Sequence, residues 1–147
     1  MASVLRDPVT TTDELIPSGE TSSYRSDPLK LASFALSRRD PDYVPRARAT
    51  QALEEARRSG AMPPELQSVQ KALSIPDMGR VQNGSVLFAN KPGDGSAREQ
   101  AASCQRVLGG CANLCYEFAT TRYRSNCVNW GMLPFTLADG PPFDAVP

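Results

Sequence analysis

Apolar residues recur along the chain with three different spacings, and each spacing predicts a different kind of structure. From Arg6 to roughly Asp27 the sequence is polar and rich in Thr and Ser. It shows no sustained period and predicts ordered loop. From Asp27 to about Pro76 the spacing is helical. Asp27-Pro28 and Asp40-Pro41 each place a capping acid before a proline suited to a first helical turn. Leu29, Ala32 and Leu36 then share one helix face, and Val44, Ala47, Leu53 and Ala56 share another. Gly60 is the expected C-terminal stop. Pro63-Pro64-Glu65 opens a further short helix with Leu66, Val69 and Leu73 in register.

The stretch from Gly79 to Pro147 carries the expected core. Ser85–Ala89 reads as a buried strand, followed by the turn Gly93-Asp94-Gly95. A helix is predicted from Ser96 to about Leu108, with Ala97, Ala101, Cys104 and Leu108 as its apolar stripe. Cys111 to Phe118 is a second strand. Thr120 to Trp130 is a second helix with Tyr123, Cys127 and Trp130 aligned, and Met132 to Leu137 is a third strand. Alternating strands and helices imply an α/β fold: a small, mostly parallel sheet with helices on its faces, in one domain spanning 1–147.

Composition narrows the chemistry. The chain has 147 residues, zero formal net charge and no histidine. Charge therefore gives no reason to expect nucleic acid or an anionic membrane as partner. Without histidine, Ser-His-Asp and Cys-His nucleophile systems within the chain are excluded. No stretch approaches the roughly 20 apolar residues of a membrane span, and the first residues lack a signal pattern. A cytoplasmic location is expected, with the four cysteines reduced. Cys104, Cys111, Cys115 and Cys127 match no common zinc or iron–sulfur spacing, so they read as small core residues. A metal module built on these thiols is the competing reading.

The candidate chemistry centres on Gly93-Asp94-Gly95-Ser96-Ala97-Arg98-Glu99. A strand feeds a glycine turn and then a helix N-terminus, where free N–H groups and the helix dipole attract anions. Arg98 opposes that dipole, which makes sense if it faces a bound carboxylate or phosphate. Ser96 and Glu99 also fit a capping box, which by itself could account for both. Arg25 lies in a polar loop beside Tyr24, where a plain surface arginine is the simpler alternative. Asp13, in Thr11-Thr12-Asp13-Glu14, has the composition of a helix cap.

These residues resemble a known family. Gly93 to Ala102 is similar to the Gly-x-Gly-Ser-Ser-Arg-Glu-His-Ala motif of the aconitase superfamily. Thr11-Thr12-Asp13 with Ile16-Pro17-Ser18-Gly19 resembles the Thr-Thr-Asp-His-Ile-Ser-Pro-Ala-Gly segment, and Arg25 follows Asp13 at the family's distance. Phe118-Ala119, Asn126 and Gly131–Phe135 resemble the later helix and strand. The resemblance implies a swivelling-type domain with 1–27 as substrate loop, 28–76 helical and 79–147 as the α/β core. It implies a hydro-lyase acting on a di- or tricarboxylic hydroxy acid. Ser96 would be the base, Arg98 would stabilise its alkoxide and contact substrate, Arg25 would grip a remote carboxylate, and Asp13 would support the site. A [4Fe-4S] cluster would sit on other domains or a large partner subunit, leaving this chain inactive alone and holding no cofactor or metal.

Three departures from the family pattern stand out. Ala97 replaces a serine, while Gln100 and Glu14 replace histidines, which puts the substrate in question. The stop at Val146-Pro147 falls before the strands that usually finish the domain, so a truncated domain or small subunit is expected. The rival reading is a degenerate swivel domain that binds a carboxylate or docks a partner without catalysis.

Overall fold

A computed structural model describes residues 1–137. Four strands, β1 (Ala2–Leu5), β3 (Ser85–Ala89), β5 (Gly110–Cys115) and β6 (Leu133–Thr136), form one sheet in the order β1-β3-β5-β6, parallel throughout. Two further strands, β2 (Thr10–Thr11) and β4 (Pro92–Asp94), pair in parallel just beyond the ends of β1 and β3. The helices are α1 (Thr12–Leu15), α2 (Pro28–Ala32), α3 (Tyr43–Arg58), α4 (Pro64–Ala72), α5 (Arg98–Val107) and α6 (Thr121–Asn129). The expected α/β class and parallel sheet are present. The expected chain stop at Val146-Pro147 lies outside the described residues.

Alternation along the strands sends Ser3, Leu5, Leu87, Ala89, Asn113 and Cys115 to one face, where they are buried. Helices bond to that face: Tyr43 meets the Ser85 hydroxyl at 3.1 Å, and Gln105 of α5 accepts from Asn113 at 3.1 Å. The opposite face carries Val4, Leu133 and Phe135, which are 39%, 58% and 48% exposed.

Local details follow capping chemistry. Asp27 caps α2 as expected, its carboxylate accepting from the Lys30 N–H at 3.0 Å. α2 ends at Ala32 rather than running to Leu36, whose φ is +56°. Leu29 is 71% exposed, and Leu31, Ala32, Ala35 and Leu36 form the buried set instead. Asp40 caps nothing. Its carboxylate takes the Ser3 hydroxyl at 2.6 Å and the Arg46 guanidinium, tying β1 to α3. Gly60, with φ +84°, stops α3 as predicted. In α4 only Leu66 of the expected stripe is buried. β1 and α1 occupy stretches with no sustained apolar period, so loop was the wrong expectation for Thr12–Leu15.

Two buried polar clusters fix the helices. Glu54, 7% exposed, accepts from Arg57 at 2.7 and 2.8 Å, from Arg58 at 2.9 Å and from the Asn83 N–H at 2.9 Å. The Arg57 bonds, aided by Arg58 and Asn83, hold its carboxyl at about 2 against an ordinary 4.5. The second cluster is a closed ring. Gln105 donates to the Tyr123 hydroxyl at 2.8 Å, Tyr123 donates to Asn113 Oδ1 at 3.3 Å, and Asn113 donates back to Gln105. Every member is fully buried and satisfied, which is what such a network needs to rigidify a core.

Because the folded pKa of Glu54 is depressed, its stabilisation is complete above about pH 4.5 and fades as pH falls toward 2. Glu54→Gln should cost about 3 kcal/mol at neutral pH in denaturant unfolding. Its gap from the parent should close across that acid window. The Tyr123 ring also fixes the glycine turn. Gly93 has φ +96°, and a Cβ there would lie 2.3 Å from the ring. Gly93→Ala should cost about 2–4 kcal/mol. Gly19→Ala, whose Cβ meets nothing within 4 Å, should shift stability by less than about 0.5 kcal/mol.

Candidate functional site

The site lies beyond the C-terminal ends of β1, β3 and β5, where open parallel sheets commonly bind ligands. Asn90 gathers those ends. Its side chain donates to the Arg6 and Asp7 carbonyls at 3.0 Å each, and its carbonyl accepts from the Tyr116 and Glu117 N–H groups. β2 and β4 then pair, setting Thr11 opposite Asp94. Thr12 consequently sits against the glycine turn: a Cβ on Gly95 (φ +124°) would meet the Thr12 hydroxyl at 2.4 Å. The two segments that carry the family resemblance are thus neighbours in space.

The turn delivers Ser96 to the surface just before α5. The helix is capped at Ala97 with no side-chain bond, and Ser96 is exposed. The capping-box explanation for Ser96 and Glu99 is therefore overturned. The carboxylate of Glu99 instead accepts from Asn126 Nδ2 and Trp130 Nε1, each at 2.6 Å. Those bonds pull Glu99 toward α6 and away from the N-cap. The Ser96 hydroxyl takes part in no hydrogen bond among the described residues. A true capping box does occur, at α1. There Thr11 and Glu14 exchange bonds, the Thr11 N–H donating at 2.7 Å and the Glu14 N–H at 3.3 Å.

Arg25 follows a 3₁₀ turn at Ser22–Tyr24. The Tyr24 ring stacks on Phe34 with centroids 5.5 Å apart, and the Lys30 ammonium lies over both rings. This aromatic anchor gives the polar loop a fixed geometry. The guanidinium of Arg25 has no partner among the described residues. Arg25 and Ser96 line one cavity of about 270 Å³, together with Ser18, Ala97, Glu99 and Gln100.

Two candidates fall outside that lining. Asp13 pairs with Arg38, which also holds Glu20, so its charge is spent on fixing α1 to the following loop. Arg98 occupies the first turn of α5, half-buried, with a buried Nε that has no partner. Ser96 therefore lines this cavity and Arg98 does not. Ser18 and Glu99 complete the cavity. Their place was not readable from residue types, although Ser18 lies within the Ile16–Gly19 segment of the resemblance.

The cysteines behave as core residues. Burial pushes Cys104, Cys115 and Cys127 up to about 12, and raises Cys111 as well. Among the described residues, no group of three or more His, Cys, Asp or Glu side chains could hold a metal ion. No described helix is long and apolar enough to cross a membrane.

Comparison with known proteins bears on the family and the fold. A mitochondrial aconitate hydratase of Arthroderma benhamiae is 44% identical over 55 residues, which are 37% of this chain and 7% of that protein. The crystal structure of 3-isopropylmalate dehydratase from Methanocaldococcus jannaschii superposes with a TM-score of 0.53 at 22% identity. The match covers 90% of this chain and 57% of that one, and at this identity it speaks to the fold alone. The chain thus spans a small part of the curated relative and little more than half of the solved one. Residues 65–140, just over half of the sequence, match the family described as Aconitase C-terminal domain, and the chain belongs to that family.

Proposed function

We propose that this chain is the swivel domain, or the small subunit, of an aconitase-like hydro-lyase that removes and re-adds water on a di- or tricarboxylic hydroxy acid. One observation carries the reading: an unbonded Ser96 hydroxyl and an unpaired Arg25 guanidinium open into the same cavity. Arg25 suits a substrate carboxylate, because a guanidinium can meet it through two parallel N–H donors. Ser96 would take the proton from the substrate carbon. Serine is a weak base in water and needs a positive, N–H-rich setting to ionise. The α5 N-terminus contributes partial positive charge, and Arg98 two residues on adds a full one. Asp13 would act at one remove, through the Arg38 pair that fixes α1 beside Gly95.

The described thiols and carboxylates offer no cluster ligand set. On this reading, which follows the family resemblance, a [4Fe-4S] cluster would sit on other domains of the same polypeptide or on a large partner subunit, in the cytoplasm. When bound there, that cluster would supply the Lewis acid for the leaving hydroxyl. This chain's share is to grip the acid, orient it and move the proton.

A non-catalytic, carboxylate-binding version has one observation in its favour: Arg98 is absent from the cavity lining. The test is a complete, cluster-loaded protein. Ser96→Ala should lower kcat by about 10²–10⁴-fold with substrate affinity largely kept. Turnover at the parental rate would remove Ser96 from the mechanism. Arg25→Ala should act mainly on KM, weakening binding by about 2–5 kcal/mol where closure buries the pair. Acid binding with no turnover in the loaded parent would establish the non-catalytic version.

A further inference from the structure

The cleft does not end at Arg25. A second cavity, of about 250 Å³, opens beside the first and shares Arg25, Glu99 and Gln100 with it. Its chemistry differs: beyond the shared mouth it is walled chiefly by Pro28 and Leu31 of α2, Cys104 and Val107 of α5, and Trp130 after α6. We infer that the acid held by Arg25 carries an apolar arm, and that this arm lodges between α2 and α5 against the Trp130 indole. This rests on the proposed carboxylate site and narrows its substrate class to alkyl-substituted hydroxy acids.

Three features support the assignment. First, the only charges in the wall are Arg25 and Glu99, both at the mouth. The Glu99 oxygens are taken up by Asn126 and Trp130, so Glu99 does not pair with Arg25. The cation is left for a ligand anion, at the seam between a polar and an apolar compartment. Second, the interior offers little to a water. The Ser103 hydroxyl already donates to the Gln100 carbonyl, at 3.3 Å. Burial keeps the Cys104 thiol neutral. A space with so few free polar partners favours hydrocarbon over water. Third, the indole is held in place. Its N–H bond to Glu99 fixes a half-exposed ring as a wall, and Glu99 is also a wall of the Ser96 cavity. An acid carrying only carboxylates and a hydroxyl would leave this compartment unfilled.

Trp130 is the one tryptophan of the chain, so its emission reports on this compartment alone. The chain is titrated with succinate and with 2-methyl-, 2-ethyl- and 2-propylsuccinate, following both Trp130 fluorescence and heat. These probes keep two carboxylates and cannot be dehydrated. Affinity should rise by about fourfold for each methylene added, with a progressive blue shift of the indole. Arg25→Ala should weaken the whole series, and Val107→Thr should shrink the gain per methylene. Equal binding of all four acids, dependent on Arg25 and silent at Trp130, would overturn the apolar arm while leaving the carboxylate site standing. Alkyl-dependent binding that ignores Arg25 would overturn the link between the compartments. No Arg25-dependent binding of any acid, by this chain or by the complete, cluster-loaded protein, would overturn both the arm and the carboxylate site.

Discussion

Thr10 and Thr11 pair with Pro92 and Asp94 over only a few residues, yet the whole site hangs on that pairing. It joins segments some eighty positions apart and seats Thr12 against Gly95. So short a ladder is weak alone. It is held from below by Asn90, which clamps the carbonyls of Arg6 and Asp7, and from above by the Thr11–Glu14 capping box. The Tyr123 ring closes the arrangement from behind, packed where Gly93 has no side chain and tethered by its hydroxyl to Gln105 and Asn113. The turn that presents Ser96 is thus set by backbone pairing on one side and a locked aromatic ring on the other.

Much of the second half of the chain was legible, because its elements are long enough to show a period. β3, α5, α6 and β6 fall within the stretches predicted, β5 begins one residue before its stretch and ends three short of it, and Gly60 and Gly131 stop their helices at positive φ. The first half was less so. β1 has four residues and α1 another four, too few for periodicity to distinguish from loop. α2 misled through Leu29, which is apolar but turned outward while Leu31 faces the core.

The site was legible as residue types and illegible as directions. Arg25 and Ser96 line one cavity. Nothing in the sequence says that Tyr24 stacks on Phe34 to aim Arg25, since that contact depends on how the 3₁₀ turn folds back onto α2. Nor does the motif reveal that Glu99 abandons its capping role for Asn126 and Trp130. Both partners sit on or just after α6, some thirty residues away, and local spacing cannot report a choice between a near and a distant donor.

Exposure sets the final constraint on the chemistry. Ser96 lies in an open cleft, where water would hold its hydroxyl near its ordinary, weakly basic state. The dipole of α5 and the Arg98 charge act strongly only where water is thin, since their interaction with an alkoxide scales inversely with the local dielectric. On the proposed reading, this chain supplies the fixed half of an electrostatic site, already aimed by the glycine turn. The other half is a surface that closes over the cleft and removes its water.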